Sequence, residues 1–249
     1  MKILLTNDDG ILAEGIRFLK NDLSEEGHDV LVVAPDVERS ATGHAITIRT
    51  PLWVKKVDLD GTFFGYATSG TPADCVKLGL LELSEGGVDL VVSGINKGAN
   101  MGTDVLYSGT VSGAMEAAIT GYPAIAISSV DFAQPRFETA AQFFVRFLRE
   151  FDIHRIPPYG ALNINVPSIP TPQLLGYRFT RQSKRKFEDY FEGRKDPYGN
   201  VYYWLMGGVV ENDPDADADY LAVNQGYVSI SPLTVFHTDH KLLDQLQKE

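Results

Sequence analysis

The stretch KILLTNDDGIL (residues 2–12) joins a short apolar run to two adjacent acidic residues and a glycine. An apolar run of this length is typical of a parallel strand that is buried on both faces of its sheet. Asp8 and Asp9 follow it directly, and Gly10 permits a tight turn. Neighbouring carboxylates repel each other, and burying either one without a counter-charge is costly. We therefore expect a positive charge beside Asp8 and Asp9.

Four more apolar runs follow the first, and amphipathic patterns of helical period separate them. The runs lie at 30–35, 89–94, 124–129 and 161–167, and the helical patterns cover about 13–26, 72–84, 111–121 and 137–151. Strands that alternate with helices are typical of βαβ units around a mostly parallel sheet. The predicted fold class is therefore α/β, a three-layer sandwich.

Two segments depart from this alternation. Residues 46–69 have a period of two around the turn Leu59–Asp60–Gly61, which predicts an inserted hairpin on the flank of the sheet. In the second segment, aromatic and charged residues surround a turn at 196–200. This pattern predicts a long hairpin that projects from the core. An amphipathic helix follows the hairpin near the C-terminus. We predict a core domain over 1–170 and a C-terminal extension over 171–249 that is used in subunit exchange.

Composition excludes several classes of protein. The net charge is 22 − 33 = −11, which repels polyanions and argues against binding of duplex nucleic acid. Cys75 is the only cysteine, so no intramolecular disulfide can form. No stretch reaches the roughly 20 apolar residues that a membrane helix needs, and the N-terminus does not resemble a signal peptide. We expect a cytoplasmic protein with no membrane partner.

Polar side chains follow two other strands. The loop APDVERSATGHA (34–45) offers the hydroxyls of Ser40 and Thr42 and the imidazole of His44, and the Gly-rich segment 93–118 offers the amide oxygen of Asn96. Oxygen ligands of this kind, together with Asp8 and Asp9, suit Mg²⁺, Mn²⁺ or Ca²⁺ better than Zn²⁺. The five histidines have neither His-x-His nor HExxH spacing, which also argues against zinc.

A candidate anion site lies at the start of the helix predicted over about 111–121. Ser108, Gly109 and Thr110 stand at the predicted N-terminus, where free N–H groups and the helix dipole favour a phosphate. A cation at the strand ends with an anion cradle opposite predicts hydrolysis of a phosphate ester.

Structural explanations compete with these functional ones. One of the two acids can cap the helix that begins near Leu12, and Ser108 can be an ordinary N-cap. Tyr107 either stacks on a base or packs in the core, and Cys75 is predicted to be a packed core thiol. We predict that DPDADADY (213–220) is a solvated acidic loop and helix start rather than a calcium site, because it lacks EF-hand spacing. The basic run RQSKRK (181–186) is predicted to be a solvated hairpin base.

Five motifs together resemble one family. TNDDG (6–10), RS (39–40), SGTPADCV (69–76), SGINKGANMG (93–102) and YSGTVSGAMEAA (107–118) are similar, in order and spacing, to the survival protein E (SurE) family of 5'/3'-nucleotidases. The resemblance covers residues 1 to about 130. It implies a Rossmann-like core and a metal-dependent phosphatase that acts on nucleoside 5'- and 3'-monophosphates, with short polyphosphate as a further substrate in some members.

The resemblance also implies roles for individual residues. It places one divalent ion, Mg²⁺ or Mn²⁺, on Asp8, Asp9, Ser40 and Asn96, where the ion binds a phosphoryl oxygen and activates water. We expect amides near Ser108, Gly109 and Thr110 to stabilise the phosphoryl charge, and Asn96 to contact the phosphate as well. Asp8 is also a candidate general base. The family further implies dimers or tetramers formed by swapping of the C-terminal part.

Several other functions fit the sequence less well. A covalent aspartyl-phosphate mechanism needs acids at i and i+2, whereas the pair here is Asn7 and Asp9. A dinucleotide-dependent oxidoreductase lacks its GxGxxG motif, and a serine hydrolase lacks its GxSxG elbow. A non-catalytic sensor of a metal or nucleotide on the same fold stays open as an alternative. Turnover of AMP separates the sensor from an enzyme.

Overall fold

In the computed structural model, which describes residues 1–248, nine strands form one sheet and two more form a separate hairpin. The strand order in the sheet is β3-β4-β2-β1-β5-β6-β7-β11-β8. The strands are β1 Lys2–Thr6, β2 Asp29–Pro35, β3 Val54–Leu59, β4 Thr62–Thr68, β5 Leu90–Lys97, β6 Ala124–Ser129, β7 Gly160–Val166, β8 Tyr177–Phe179, β9 Lys186–Lys195, β10 Val201–Val210 and β11 Val228–Thr234.

The centre of the sheet is parallel. Strands β4, β2, β1, β5, β6 and β7 run in one direction, whereas β3 pairs antiparallel to β4 and β11 pairs antiparallel to β7. The helices are α1 Glu14–Glu25, α2 Pro72–Leu78, α3 Gly109–Ile119, α4 Phe137–Glu150, α5 Asp219–Asn224 and α6 His240–Leu246. This mostly parallel α/β architecture confirms the predicted fold class.

Two apolar layers separate the sheet from its helices. Ile3 and Leu5 belong to a buried cluster with residues of α1 and α4, and Leu4 belongs to another with residues of α2 and α3. Successive side chains of a strand point to opposite faces, so a strand covered on both faces is apolar throughout. Helices therefore lie on both sides of the sheet.

Most predicted elements agree with the structure, and three details differ. The helix predicted over 72–84 is α-helical only to Leu78 and continues as a π-helical turn over Gly79–Leu83. The hairpin predicted over 46–69 forms as β3 and β4 at the edge of the sheet beside β2, but its first strand begins only at Val54. The sequence analysis missed β8 and β11, which lie after residue 170 and complete the same sheet. None of the helices within residues 1–248 has the length and apolar character needed to cross a membrane.

The second sheet is a two-stranded hairpin, β9 with β10, which we call the arm (residues 186–210). Its register pairs Phe187 with Val209 and Phe191 with Leu205, so these side chains share one face with Tyr203. All five are exposed, by 42% to 70%. The arm therefore presents an apolar face to solvent.

Candidate functional site

The turn after β1 presents the two acids at the carboxyl edge of the sheet. The buried side chain of Asn7 braces this turn, because its Nδ2 donates to the carbonyl of Gly10 at 2.9 Å and its Oδ1 accepts from the Gly10 N–H at 3.2 Å. The carboxyl edge of an open parallel sheet is where such folds bind ligands. Asp8 and Asp9 therefore stand at the expected place.

Asp8 lies against the first turn of α3. Its side chain is only 4% exposed, and its Oδ1 accepts a hydrogen bond from the Thr110 hydroxyl. A Cβ atom at Gly109 would lie 2.7 Å from the Asp8 Cβ, so only glycine allows this approach. The positive end of the helix dipole favours negative charge here.

Asp9 is linked to the end of β5, where Asn96 lies. Its Oδ2 accepts from the Lys97 N–H at 3.1 Å. The Asn96 Nδ2 donates to the Gly98 carbonyl at 2.9 Å, and no residue within 1–248 donates to Asn96 Oδ1. The structure thus brings Asp8, Asp9 and Asn96 to one edge of the sheet and gives the Asn96 oxygen no competing partner there.

The two carboxyls are electrostatically strained. Burial raises the pKa of Asp8, although the hydrogen bond from Thr110 acts in the opposite direction. Burial and the negative charge of the adjacent Asp8 raise the pKa of Asp9 to about 6. Neither acid forms an ion pair with a residue that the structure describes. A buried acid beside a partly buried one, neither in an ion pair, fits a site that holds a cation.

The donors near this pair limit the kind of cation. Residues 1–248 contain no group of three or more His, Cys, Asp and Glu side chains arranged to hold a metal. A metal bound at Asp8 and Asp9 therefore needs amide, hydroxyl or water oxygens as well. Such a set suits a hard divalent cation such as Mg²⁺, Mn²⁺ or Ca²⁺.

The loop that carries Ser40 lies beside the acid pair, but the Ser40 hydroxyl has another partner. The N–H of the preceding residue, Arg39, donates to the Asp8 carbonyl at 2.7 Å, which places this loop beside the acid pair. The Ser40 side chain is exposed, and its Oγ donates to Glu38 Oε1 at 2.7 Å. Its role as a metal ligand therefore stays a prediction.

The predicted anion cradle is a capped helix N-terminus. Ser108 is the N-cap of α3, and its Oγ accepts from the Val111 N–H at 3.0 Å. Gly109 and Thr110 are the first two residues of the helix. The capping role of Ser108 and an anion site at the same terminus are compatible, because the cap satisfies only one of the orphan N–H groups.

The structure settles several of the competing explanations. Neither acid caps α1, whose N-cap is Ala13 and has no side-chain hydrogen bond. Cys75 is a core thiol whose pKa burial raises to about 12. Tyr107 is 66% exposed, so it is not a core residue.

The prediction that the acidic and basic runs are solvated was wrong in part. Asp213 and Asp219 are buried, at 2% and 0% exposure, and Arg185 is buried at 8%. Arg181 forms ion pairs with Asp213, Asp215 and Asp217, the first at 2.8 Å. The runs meet each other in the fold, and their opposite charges permit the burial.

Sequence reasoning missed a charged cluster beside the cradle. Glu116 is buried in α3, where its Oε2 is hydrogen-bonded to His44 Nε2 at 2.9 Å and its Oε1 forms an ion pair with Lys77 Nζ at 2.5 Å. His44 follows Ser40 on the same loop, so the pair ties that loop to α3. The signal was a glutamate within the otherwise apolar helical pattern AMEAA, because a buried charge needs a partner.

A cavity of about 480 Å³ begins at Ser108 and runs along α3. Its lining mixes apolar side chains with six polar ones, namely His44, Ser108, Ser112, Gln182, Thr234 and His237. The apolar lining residues are Val105, Leu106, Val111, Met115, Pro232, Leu233 and Phe236. Ligand pockets commonly have this size and composition.

Fold and site together define an α/β protein of Rossmann-like topology, with an acidic site at the carboxyl edge of its sheet that faces a helix N-terminus. The family model described as Survival protein SurE matches residues 3–189. The chain belongs to this family, which confirms the resemblance seen in the sequence.

Individual relatives match over the whole chain. A protein named 5'-nucleotidase SurE from Kosmotoga olearia is 57% identical, with 100% of this chain and 98% of that protein covered. A protein of the same name from Thermosipho melanesiensis is also 57% identical, over 100% and 97%. The crystal structure of the SurE protein from Aquifex aeolicus superposes with a TM-score of 0.85 at 39% identity, over 100% and 99% of the two chains.

Proposed function

We propose that this chain is a metal-dependent 5'-nucleotidase that hydrolyses nucleoside monophosphates to nucleoside and phosphate. The observation that carries the proposal is the acid pair of buried Asp8 and partly buried Asp9, which forms no ion pair within residues 1–248 and whose Asp8 lies against the N-terminus of α3. Relatives named 5'-nucleotidase SurE, 57% identical over the full chain, support the reaction.

Asp8, Asp9, Asn96 and Ser40 would hold one Mg²⁺ or Mn²⁺ ion. When bound, such an ion supplies Lewis acidity, which polarises the phosphate ester and acidifies water. Thr110 keeps Asp8 in place through its hydroxyl, and the Lys97 N–H does the same for Asp9. N–H groups at the N-terminus of α3 stabilise charge on the phosphoryl oxygens, each donor contributing about 3 kcal/mol in a dry site.

We place the nucleoside in the cavity beside Ser108. With the phosphate at the N-terminus of α3, the cavity along that helix is where the rest of the substrate extends. Its apolar lining suits a base, and His44, Gln182 and His237 offer hydrogen bonds to the sugar or base edge. The same cavity is compatible with 3'-monophosphates, which we include with short polyphosphate as further substrates.

We also propose a homodimer or tetramer that forms through the C-terminal extension. The apolar face of the arm and the exposed Leu242 and Leu246 of α6 support this, because large apolar patches on soluble proteins mark interaction sites. The occupant is a second copy of the chain.

A matrix of metals and substrates tests the reaction. Purified protein, freed of metal with a chelator, is assayed with Mg²⁺, Mn²⁺ or Zn²⁺ against 5'-AMP, 3'-AMP, tripolyphosphate and a chromogenic phosphate ester. We expect release of phosphate only with added Mg²⁺ or Mn²⁺, and loss of about 100-fold or more in kcat for Asp9→Asn. Metal binding without turnover of any substrate would instead support a sensor.

A further inference from the structure

The segment 98–107 connects the two halves of the proposed site. It joins Asn96, at the end of β5, to Ser108, the cap of α3. Its regular structure is limited to one 3₁₀ turn, Gly102–Leu106. The separation of Asn96 from the helix N-terminus therefore depends on groups elsewhere in the chain that bind this segment.

The first part of the segment is fixed to the sheet by a buried amide cluster. The Asn100 N–H donates to Asn165 Oδ1 and its Nδ2 donates to Ser128 Oγ, both at 2.8 Å. The side-chain amides of Asn163 and Asn165 donate to the Asn100 carbonyl at 2.8 and 3.0 Å. All four residues are buried, so these hydrogen bonds are protected from water.

The second part is held by residues that follow position 180. The Gly102 N–H donates to Oδ2 of the fully buried Asp219 at 2.9 Å, and Gln182 Nε2 donates to the Gly102 carbonyl at 2.7 Å. The Thr103 N–H donates to the Arg185 carbonyl at 2.9 Å. Gly102 has a φ of +56°, and a Cβ there would lie 2.4 Å from that carbonyl oxygen. The contact requires glycine.

The Arg185 side chain completes this attachment. Its guanidinium pairs with the Asp104 carboxylate, and its Nη1 also donates to the Met101 carbonyl at 3.4 Å. Its Nε donates to Glu211 Oε1 at 3.2 Å, immediately after the arm. One buried guanidinium thus joins the segment to the base of the arm. Planar, multidentate contacts of this kind are specific to arginine.

We propose that Arg185 is a positioning residue for the reaction. Together with Asp219, it holds segment 98–107 in one conformation. That conformation places Asn96 and the N-terminus of α3 around Asp8 and Asp9. The inference rests on the proposed function, because the groups it positions are those assigned to phosphate-ester hydrolysis. A residue 81 positions away from Asp104 in sequence thereby sets the geometry of the site.

The test compares Arg185→Ala with Arg149→Ala as a matched control. Arg149 also forms an arginine–carboxylate pair between two elements, with Glu26, and neither residue hydrogen-bonds to segment 98–107. Three readouts are measured: hydrogen exchange of amides 98–107, Mn²⁺ binding by calorimetry without substrate, and kcat and KM for 5'-AMP. Arg185→Lys is included because it keeps the charge but not the planar fork.

We expect Arg185→Ala to accelerate amide exchange in 98–107 by about tenfold or more. We expect its Mn²⁺ affinity to fall and its kcat to drop by about 10–100-fold, with a much smaller change in KM. Arg149→Ala leaves all three readouts at wild-type values, and Arg185→Lys gives intermediate ones.

Unchanged exchange and unchanged Mn²⁺ affinity in folded Arg185→Ala overturn the proposal. If circular dichroism shows that this variant does not fold, Asp104→Asn takes its place, because it removes only one ionic contact. If the wild-type protein shows no phosphatase activity, the proposed function is contradicted but the role of Arg185 is not. Amide exchange and Mn²⁺ binding still decide whether Arg185 positions the segment.

Discussion

Asp8 and Asp9 have different surroundings although they are neighbours in the chain. The Asp8 carboxyl binds the Thr110 hydroxyl and touches Gly109, whereas Asp9 accepts a backbone N–H from Lys97. Each acid is therefore fixed by a different element, one by α3 and the other by the end of β5. A cation between them would link those two elements.

Gly109→Ala tests the contact between α3 and Asp8. The new methyl group would overlap the Asp8 side chain, so either the helix or the carboxyl must move. We expect a loss of about 1–3 kcal/mol in the free energy of unfolding and at least a tenfold fall in kcat, measured by urea denaturation and AMP hydrolysis. Gly208→Ala is the control, because no atom lies within 4 Å of its Cβ position. Equal kcat values for the two variants would contradict the contact.

Single residues of the site were predictable where they stand at strand ends. Asp8, Asp9 and Asn96 follow buried apolar runs, and the carboxyl ends of parallel strands meet at one edge, so their proximity follows from the strand pattern. Ser40 also follows an apolar run, but its hydroxyl donates a hydrogen bond to Glu38. A loop side chain has several possible partners within reach, so its contact could not be predicted. The partners of Glu116 were not predictable, because nothing local indicates which basic residue lies opposite.

At the scale of elements, Arg181 organises the segment that leads into α5. It binds Asp213, Asp215 and Asp217, which local composition presents as a repulsive acidic run. The hydrogen bonds from Arg181 hold the pKa of the buried Asp213 well below its usual range. A lowered pKa stabilises the fold at pH values above the unfolded-state pKa, and this contribution is lost as the pH falls below about 4.

Arg181→Gln tests this arrangement through the pH dependence of stability. At pH 7 we expect the variant to unfold at lower urea concentration than the wild type, because Asp213 is left buried without its cation. Below about pH 4 the difference narrows, since the wild type loses its advantage and protonation relieves Asp213 in the variant. A difference that stays constant from pH 7 to pH 3 would show that Arg181 acts through packing alone.

The elements with a clear local hydrophobic periodicity were predictable, and those without it were not. The five central strands and the helices between them have the period of a buried α/β core, and the structure contains them. Strand β11 was missed because Pro232 interrupts its strand pattern. It also joins the sheet by pairing with β7, which is distant in sequence, so no local pattern indicates the pairing. The attachment of Arg185 to Asp104 has no local signal at all, since it spans 81 positions.

At the scale of the whole molecule, the apolar face of the arm has no partner within residues 1–248. Phe187, Phe191, Tyr203, Leu205 and Val209 are all exposed, and the arm strands pair only with each other. An isolated two-stranded hairpin is marginally stable in water. Association with a second copy would stabilise the arm and bury this face.

The double variant Phe191→Ser, Leu205→Ser tests association. These residues pair across the arm, so the change removes the centre of its apolar face while both strands remain. We expect light scattering after size exclusion to show an oligomer for the wild type and a smaller species for the variant. Glu188→Ser, Arg194→Ser on the opposite face is the control. Identical masses for the wild type and both variants would contradict a role for this face.

The most direct test of the account is an anomalous difference map from crystals of the protein soaked in Mn²⁺. We predict one peak per chain between the carboxyls of Asp8 and Asp9 and near Asn96 Oδ1, and no peak there in Asp9→Asn. A map with no peak beside these carboxyls, from crystals of an active preparation, would contradict the claim that the Asp8–Asp9 pair exists to hold a divalent cation.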